Sequence, residues 1–425
     1  MPTQVAHPSS LFTARQRWAY LAVLFLVSVT AYLDRTILTV LLEPIKREFG
    51  VSDTALGLLS GITFALFYAT LGIPLARWAD RGDRKTIIAL AVGMWSLMTA
   101  LCGLVGQFWH LVLARVGVGV GEAGSMAPAQ SLVADYFPPA MRARALSILV
   151  MSSAIGNLLG IVVGGQVAAS HGWRAAFLVA AAPGLVLALL VPFTLAEPRK
   201  QLAWANASFR PEAAREALRA LRDKRSYLLL VGALTLYFLL AHGVLTFTPS
   251  YMLRLLGADL ATVAVQFGLV SAGATLAGTV LGGWLTDRLQ ARDSRWTFWL
   301  PALGLLLAWV LMTMQFLVTS LNAFLVFAAL GTVVLLASVP GMFTALHAVC
   351  GSRRRTTAVA LAFFCGNLFG MGLGPVAVGL ISDALQASHG AAGLRVALLA
   401  VLLLFPPTAW MVWRASFHLN ADRED

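Results

Sequence analysis

The sequence predicts an all-α integral membrane protein with twelve transmembrane helices in two similar six-helix halves. Three observations predict this fold: the composition, the number of long apolar stretches and an internal repeat. Hydrophobic residues make up 59% of the 425 residues and charged residues only 12%, whereas a soluble domain carries about 25% charge. Because such a chain has too few polar groups to cover its surface in water, most of that surface is expected to face lipid.

Twelve stretches are apolar enough and long enough to cross a bilayer, for which about 20 residues are needed. They lie at 18–42, 56–77, 86–106, 110–134, 145–168, 174–194, 227–252, 262–286, 297–318, 322–347, 356–381 and 394–414. The polar stretch 197–226 predicts a cytoplasmic linker between two six-helix domains, 1–196 and 227–425. Within this linker, 212–224 is predicted to form an amphipathic helix on the membrane surface.

The basic residues predict the orientation of the chain. With the N-terminus in the cytoplasm, 24 of the 31 Lys and Arg residues fall on the inner side and five on the outer side. Since cytoplasmic loops carry an excess of Lys and Arg, both termini are predicted to be cytoplasmic. The same distribution accounts for the net charge of +12, so no nucleic-acid partner is expected. The short tails favour a bacterial inner (plasma) membrane.

Two landmarks recur in the two halves at nearly one offset. The segment Ala76–Arg81 matches Gly283–Arg288 at an offset of 207, and Gly156–Gly160 matches Gly366–Gly370 at an offset of 210. Matched spacing of two motifs predicts parallel six-helix repeats, related by an axis along the membrane normal.

These motifs resemble those of the major facilitator superfamily. Asp80-Arg81 with Arg84-Lys85 looks like its loop signature. Arg115 followed by Gly119 and Gly121 is similar to its fourth-helix motif, and the fifth-helix glycine motif is matched by Gly156, Gly160, Gly164 and Gly165. The chain departs from the superfamily pattern where Ala76 and Asp83 replace glycine. Ile161 stands where the glycine motif has proline, which weakens an inference of antiport.

Within the superfamily, the first half resembles the spinster family of lysolipid and sphingolipid transporters. The resemblance is carried by Tyr32–Arg35, Ser60–Tyr68, Gly72–Pro74 and Arg115–Gly124. It implies a secondary active transporter that works by alternating access, is proton-coupled, and carries an amphipathic solute such as a lysolipid. The expected partners are this solute, protons and membrane lipid, and the protein is expected to be a monomer.

Four ionisable residues are predicted at membrane depth: Asp34, Arg35, Arg115 and Glu122. Such groups cost roughly 2.5–3.5 kcal/mol each to insert and usually line a cavity rather than face lipid. Arg115 and Glu122 share a helix face because seven residues make about two turns. The spinster resemblance implies that the four form a proton-coupling network in the substrate cavity. The alternative is a static set of pairs that holds two helices together.

A second set of charged residues is predicted at the cytoplasmic ends of helices. By resemblance to the superfamily, these residues form a cytoplasmic gate between the halves: Asp80, Arg81, Arg84, Asp135, Asp287 and Arg288. His242 lies at membrane depth in the seventh stretch. We interpret it as a packed core histidine, with a proton relay as the alternative.

Three other functions are alternatives to this one. A proton-coupled drug, organic-anion or metabolite transporter of the same superfamily fits the same pattern. A channel is the alternative of another class, but no ring of like charges or filter repeat is present. No catalytic or nucleotide-binding pattern lies in any loop, and the three cysteines have no metal-ligand spacing. The chain is therefore predicted not to be an enzyme and to need no cofactor or metal.

Overall fold

The computed structural model of the protein describes residues 8–198 and 219–422. These residues form helices joined by short turns, with no strand among them. The main helices, numbered here in chain order, are α1 (Ala14–Phe49), α2 (Asp53–Ser60), α3 (Ile62–Arg81), α4 (Arg84–Cys102), α5 (Phe108–Glu122), α6 (Met126–Tyr136), α7 (Pro139–Thr194), α8 (Arg225–Leu255), α9 (Gly268–Gln290), α10 (Trp296–Leu317), α11 (Leu321–Cys365), α12 (Gly372–His389), α13 (Gly393–Leu402) and α14 (Phe405–Ala415). Two π-helical turns, Val263–Phe267 and Gly366–Met371, lead into α9 and α12.

The described helices account for the predicted number of membrane crossings. Nine helical stretches of the described residues are long and apolar enough to span a membrane. Two of them, Pro139–Thr194 and Thr357–His418, contain 56 and 62 residues, which is enough for two crossings each. The first of these stretches changes direction at Gly172 and the second at Gly390, two glycines with positive φ angles of 83° and 54°. Together with the two-part helix α5–α6, these stretches make the twelve predicted crossings.

Two helix boundaries differ from those predicted. The predicted stretch 110–134 is broken between α5 and α6, because Pro128 has no N–H to donate to the carbonyl of Gly124. Turn hydrogen bonds from the backbone N–H groups of Gly124 and Ser125 close α5 instead, each at 3.2 Å. The predicted loop at 348–355 is helical, so α11 runs through it. Most of the predicted surface helix 212–224 lies outside the described residues. Of its described part, 219–224, residues 219–222 are helical.

The contacts divide the chain into two compact units. Unit 1 is Met1–Ile45 with Leu66–Ser208, and unit 2 is Lys46–Ala65 with Phe209–Asp425. The segment 46–65, which the sequence assigns to the domain 1–196, thus packs in unit 2. The helices α1 and α3 each cross from one unit into the other along the chain.

Glycines bring two helix backbones into contact in each unit, in the same way. A Cβ on Gly156 of α7 would meet the Val29 carbonyl oxygen, the Tyr32 Cβ and the Leu33 nitrogen. In unit 2, a Cβ on Gly370 would meet the corresponding atoms of Thr235, Phe238 and Leu239. The matched contacts bear out the repeat. They also correct the alignment of the two halves. The sequence match pairs Gly156 with Gly366, whereas the contacts of Gly156 are those of Gly370, one helical turn later.

Candidate functional site

The first buried charge pair joins α1 to α5 within unit 1. Arg35 on α1 donates from Nε to Oε2 of Glu122, the last residue of α5. Its guanidinium also lies 4.5 Å from the ring centroid of Tyr68 and 5.5 Å from that of Tyr32. Glu122 is fully buried, and its other oxygen, Oε1, has no hydrogen-bond partner among the described residues. One oxygen of this carboxylate therefore binds a cation, and the other is open to a further donor.

The second pair joins Asp34, the preceding residue of α1, to Arg115 of α5, and its two charged groups lie farther apart. Arg115 Nη1 lies 3.7 Å from Oδ1 of Asp34 and donates to the Asp34 backbone carbonyl at 3.4 Å. Both side chains are buried, and neither carboxylate oxygen of Asp34 has a hydrogen-bond partner in the described parts of the chain. The Thr99 hydroxyl lies beside the Asp34 carboxylate, but its hydrogen bond is to the Trp95 backbone carbonyl, at 2.9 Å. A buried carboxylate in this state is stabilised either by a closer cation or by a proton.

The helix packing of unit 1 fixes where these pairs form. Arg115 and Glu122 lie two turns apart on one face of α5, so each meets one of two consecutive residues of α1. The glycine contacts of α7 hold α1 from another side, and Thr36 donates to Oδ1 of Asn157 across that contact at 2.6 Å. All four ionisable residues predicted at membrane depth are therefore brought together within one unit.

Two of the predicted gate residues meet in a buried cluster of unit 1. Arg84, the first residue of α4, binds Oδ2 of Asp135 through Nη2 at 2.7 Å and Ser131 Oγ through Nη1 at 2.8 Å. Its backbone N–H and Nε donate to Oε2 of Glu197 at 2.9 and 3.1 Å, and Nη2 donates to Oε1 at 2.5 Å. The Glu197 carboxylate thus also meets the positive end of the α4 dipole. We call these four residues the Arg84 cluster.

The other predicted positions lie elsewhere. The backbone of Asp80 and Arg81 is helical, but their side chains lie outside the described part of the structure. Asp287 and Arg288 are exposed, and the guanidinium of Arg288 lies 5.4 Å from the Trp284 ring centroid. His242 stacks on Phe238 in unit 2, with ring centroids 6.0 Å apart. No group of three metal-ligating side chains was found among the described residues.

Sequence reasoning missed Glu197, which it placed at the start of the linker. The residue is buried, although it is followed directly by the polar linker segment. Its partners are 113 and 62 positions away along the chain, at Arg84 and Asp135. No local pattern carries that information.

A third charge cluster, also missed, holds the segment 46–65 within unit 2. Asp53 at the start of α2 accepts two hydrogen bonds from Arg254, each at 2.8 Å, one from Lys46 at 2.6 Å and one from Ser382 at 2.7 Å. Asp383 on α12 accepts from the backbone N–H groups of Asp53 and Thr54 at 2.9 and 2.8 Å, as an anion at a helix N-terminus does. We call these residues the Asp53 clasp. Lys46 and Arg254 lie on the outer side, which is predicted to hold few basic residues. Their presence there is the feature of the sequence that could have indicated a buried acidic partner.

Comparison with known proteins assigns the fold to a family. The model of the Major Facilitator Superfamily matches residues 24–375. An MFS-type efflux pump of Mycolicibacterium smegmatis is 34% identical over 409 residues, which cover 96% of this chain and 94% of that protein. Protein spinster of Drosophila melanogaster is 27% identical over 91% of this chain and 65% of its own length. The mouse sphingosine-1-phosphate transporter SPNS2 is 28% identical over 86% of this chain and 70% of its own length.

Solved structures agree with this assignment. A bacterial homolog of the human lysosomal transporter spinster, in an inward-facing and unoccupied conformation, matches 97% of this chain and all of that one with a TM-score of 0.90 and 30% identity. The nucleoside transporter NupG has a TM-score of 0.76 at 13% identity and shows the shared fold alone.

The chain belongs to the major facilitator superfamily and is a multi-pass integral membrane transporter. Within that superfamily it is a spinster-like transporter and not an enzyme.

The Arg84 cluster predicts a graded loss of stability on truncation of its two carboxylates. Glu197→Ala leaves the fully buried Arg84 without its main partner, at a cost of about 3–5 kcal/mol. Asp135→Ala is expected to cost less, because the Asp135 side chain is 22% exposed. The unfolding temperatures of the purified variants in detergent check this order. An equal effect of the two substitutions would contradict the central place of Glu197.

Proposed function

We propose that the protein is a proton-coupled secondary transporter that moves an amphipathic, lysolipid-like solute by alternating access. The observation that carries the proposal is the buried Asp34 carboxylate, which accepts no hydrogen bond within 3.5 Å among the described residues, has the Thr99 hydroxyl beside it, and lies 3.7 Å from Arg115 Nη1. Static pairs that only join helices are expected to satisfy both partners.

The geometry of the two pairs supports a proton step. Arg115 reaches Asp34 only loosely, whereas Arg35 binds Glu122 directly. If Asp34 takes up a proton, it gains an O–H donor and releases Arg115 from its charge. Arg115 and Glu122 lie on the same face of α5, so a shift of Arg115 alters the field at Glu122. Proton binding is thereby linked to the position of α5 relative to α1.

An asymmetry between the two repeats supports an amphipathic solute. The matched glycine contacts align Tyr32 and Leu33 of α1 with Phe238 and Leu239 of α8. On this alignment Asp34 and Arg35 correspond to Leu240 and Ala241. Near this position unit 2 instead holds a group of ring contacts made by Phe238, His242, Phe343 and Phe363. One repeat thus offers charge and the other an apolar, aromatic surface, as a solute with a polar head and an apolar tail requires.

We propose that the Asp53 clasp acts as a gate on the predicted outer side of the transport pathway. It holds the segment 46–65 in unit 2, although α1 and α3 on either side of that segment belong largely to unit 1. Alternating access requires the two units to move, and we propose that the state open at this end breaks the clasp and releases the segment 46–65 from the rest of unit 2. Asp53 is buried and has four hydrogen-bond donors from side chains, and breaking them sets the cost of that opening.

The remaining features of the proposal follow from the sequence. The bias of Lys and Arg supports cytoplasmic termini, the mycolicibacterial relative supports a bacterial inner membrane, and we propose that the transporter works as a monomer. The Arg84 cluster then lies on the cytoplasmic side. There, together with Asp80, Arg81, Asp287 and Arg288, it would form the second gate.

A second candidate is a proton-coupled exporter of drug-like or metabolite substrates. It is favoured by the 34% identity to the mycolicibacterial efflux pump over nearly the full length of both chains. The same buried charges would serve it, so only the substrate separates the two candidates. Labelled lysophospholipids and labelled cationic drugs, compared in the same liposomes, decide between them.

The coupling role of Asp34 is tested by Asp34→Asn. In proteoliposomes with an imposed pH gradient, the gradient is expected to accelerate lysophospholipid transport by the unaltered protein. In Asp34→Asn this stimulation is expected to be lost, because an amide cannot take up the proton. Exchange of labelled for unlabelled solute without a gradient should persist.

Asp259→Asn is the matched control for this experiment. Asp259 is exposed, and hydrogen bonds from the side chain and backbone of Thr262 lower its pKa, so it stays ionised at neutral pH. Its replacement is expected to leave the stimulation unchanged. Full stimulation in Asp34→Asn would refute the proposed coupling.

The clasp is tested by the chemical accessibility of α2. In a variant without the three native cysteines, Leu56→Cys places a thiol on the buried face of α2. Adding Arg254→Gln removes the bidentate partner of Asp53. Labelling by a membrane-impermeant maleimide is then expected to rise by at least about tenfold, since a buried pair broken on one side costs more than 1.4 kcal/mol. Unchanged labelling would show that the clasp does not hold the segment closed.

A further inference from the structure

A tryptophan-lined groove lies on unit 2. It is formed between α10 and α14 and has a volume of about 470 Å³, within the range of roughly 300–1,000 Å³ of ligand pockets. Four tryptophans line it, and the rest of the lining is aliphatic: Trp296, Trp299, Trp410, Trp413, Ala302, Leu303, Leu306, Pro406 and Ala409.

The groove faces outward from the helices that form it. Leu303, Trp410 and Trp413 are 57%, 54% and 44% exposed. The indole N–H of Trp299 is turned inward instead and donates to Ser416 Oγ at 3.3 Å, which ties the start of α10 to the end of α14. The groove is thus a preformed recess that lies on the lipid-facing surface if these helices cross the membrane as predicted.

One end of the groove carries positive charge on both walls. Arg295 directly precedes α10, one turn before Trp299, and Arg414 lies one turn after Trp410 on α14, so the spacing places each arginine on the same face as a lining tryptophan. Since α10 begins where α14 ends, both arginines lie at the same end, which is the predicted cytoplasmic side. Both are exposed, and the Arg414 guanidinium is 5.6 Å from the Phe417 ring centroid. The acidic neighbour Asp293 accepts a hydrogen bond from the Arg295 backbone N–H at 2.8 Å.

We propose that this groove binds an anionic diacyl phospholipid of the predicted cytoplasmic leaflet as a bound, non-transported lipid. An apolar recess with cations at only one end matches a molecule with acyl chains and one anionic head group. Tryptophans at the level of the head groups are typical of this depth in the membrane. Basic pockets between transmembrane helices on this side bind anionic head groups. A second protein chain would need no such separation of charged and apolar ends.

The experiment measures the binding of phosphatidylglycerol and phosphatidylcholine to the purified full chain by native mass spectrometry. Phosphatidylglycerol is expected to bind more tightly than phosphatidylcholine. The double substitution Arg295→Gln with Arg414→Gln is expected to weaken phosphatidylglycerol binding by about tenfold or more and to remove the preference. Trp410→Ala is expected to weaken the binding of both lipids.

Two exposed residues of unit 1 provide matched controls, Arg15→Gln for the charge and Trp109→Ala for the aromatic surface. Both are expected to retain binding of phosphatidylglycerol at the original affinity. Equal binding of the two lipids by the unaltered protein would overturn the proposal, as would unchanged phosphatidylglycerol binding in the double arginine variant. A dimer that dissociates in Trp410→Ala would also overturn it, because the groove would then be a contact between copies of the chain.

Discussion

The burial of Asp34, Arg115 and Glu122 in unit 1, together with the partly buried Arg35, is the constraint on which the rest of the molecule depends. A charge placed at membrane depth must be paired, hydrated or protonated. Arg35 and Glu122 meet this demand by direct contact, whereas Asp34 and Arg115 meet it only in part, at 3.7 Å. A closed pair and a looser one lie side by side on the same two helices, and we propose that this difference makes the site responsive to a single proton.

The packing of the surrounding helices positions these charged side chains. Glycines of α7 let the backbone of α1 approach closely, and Gly121 does the same between α5 and the backbone of α4 at Trp95. The same glycine contacts recur in unit 2 around α8, where the corresponding positions carry no charge. A duplicated scaffold with these charges in only one copy accounts for the repeat in the sequence, and it is the basis on which we propose an amphipathic solute. The Arg84 cluster of unit 1 and the Asp53 clasp of unit 2 place further buried ion pairs near helix ends.

Much of the fold could be predicted from the sequence, because the length of apolar stretches and the bias of Lys and Arg are properties of the chain itself. The shared face of Arg115 and Glu122 followed from their spacing alone. The choice of partners did not, since either arginine could pair with either carboxylate and only the packing of α1 against α5 decides. Glu197 and Asp53 were missed for the same reason, because Arg84 and Arg254 reach them from distant parts of the chain. The one-turn shift of the glycine register in unit 2 depends on backbone contacts that a sequence match cannot supply.

Infrared difference spectroscopy of the purified protein at two pH values most directly tests whether a buried carboxylate takes up the coupling proton. The band of a protonated, buried carboxyl group is expected at the lower pH. This band should be absent in Asp34→Asn and retained in Asp259→Asn. A band that persists in Asp34→Asn, or the absence of any carboxyl band over the pH range in which transport is driven, would contradict the coupling role proposed for Asp34.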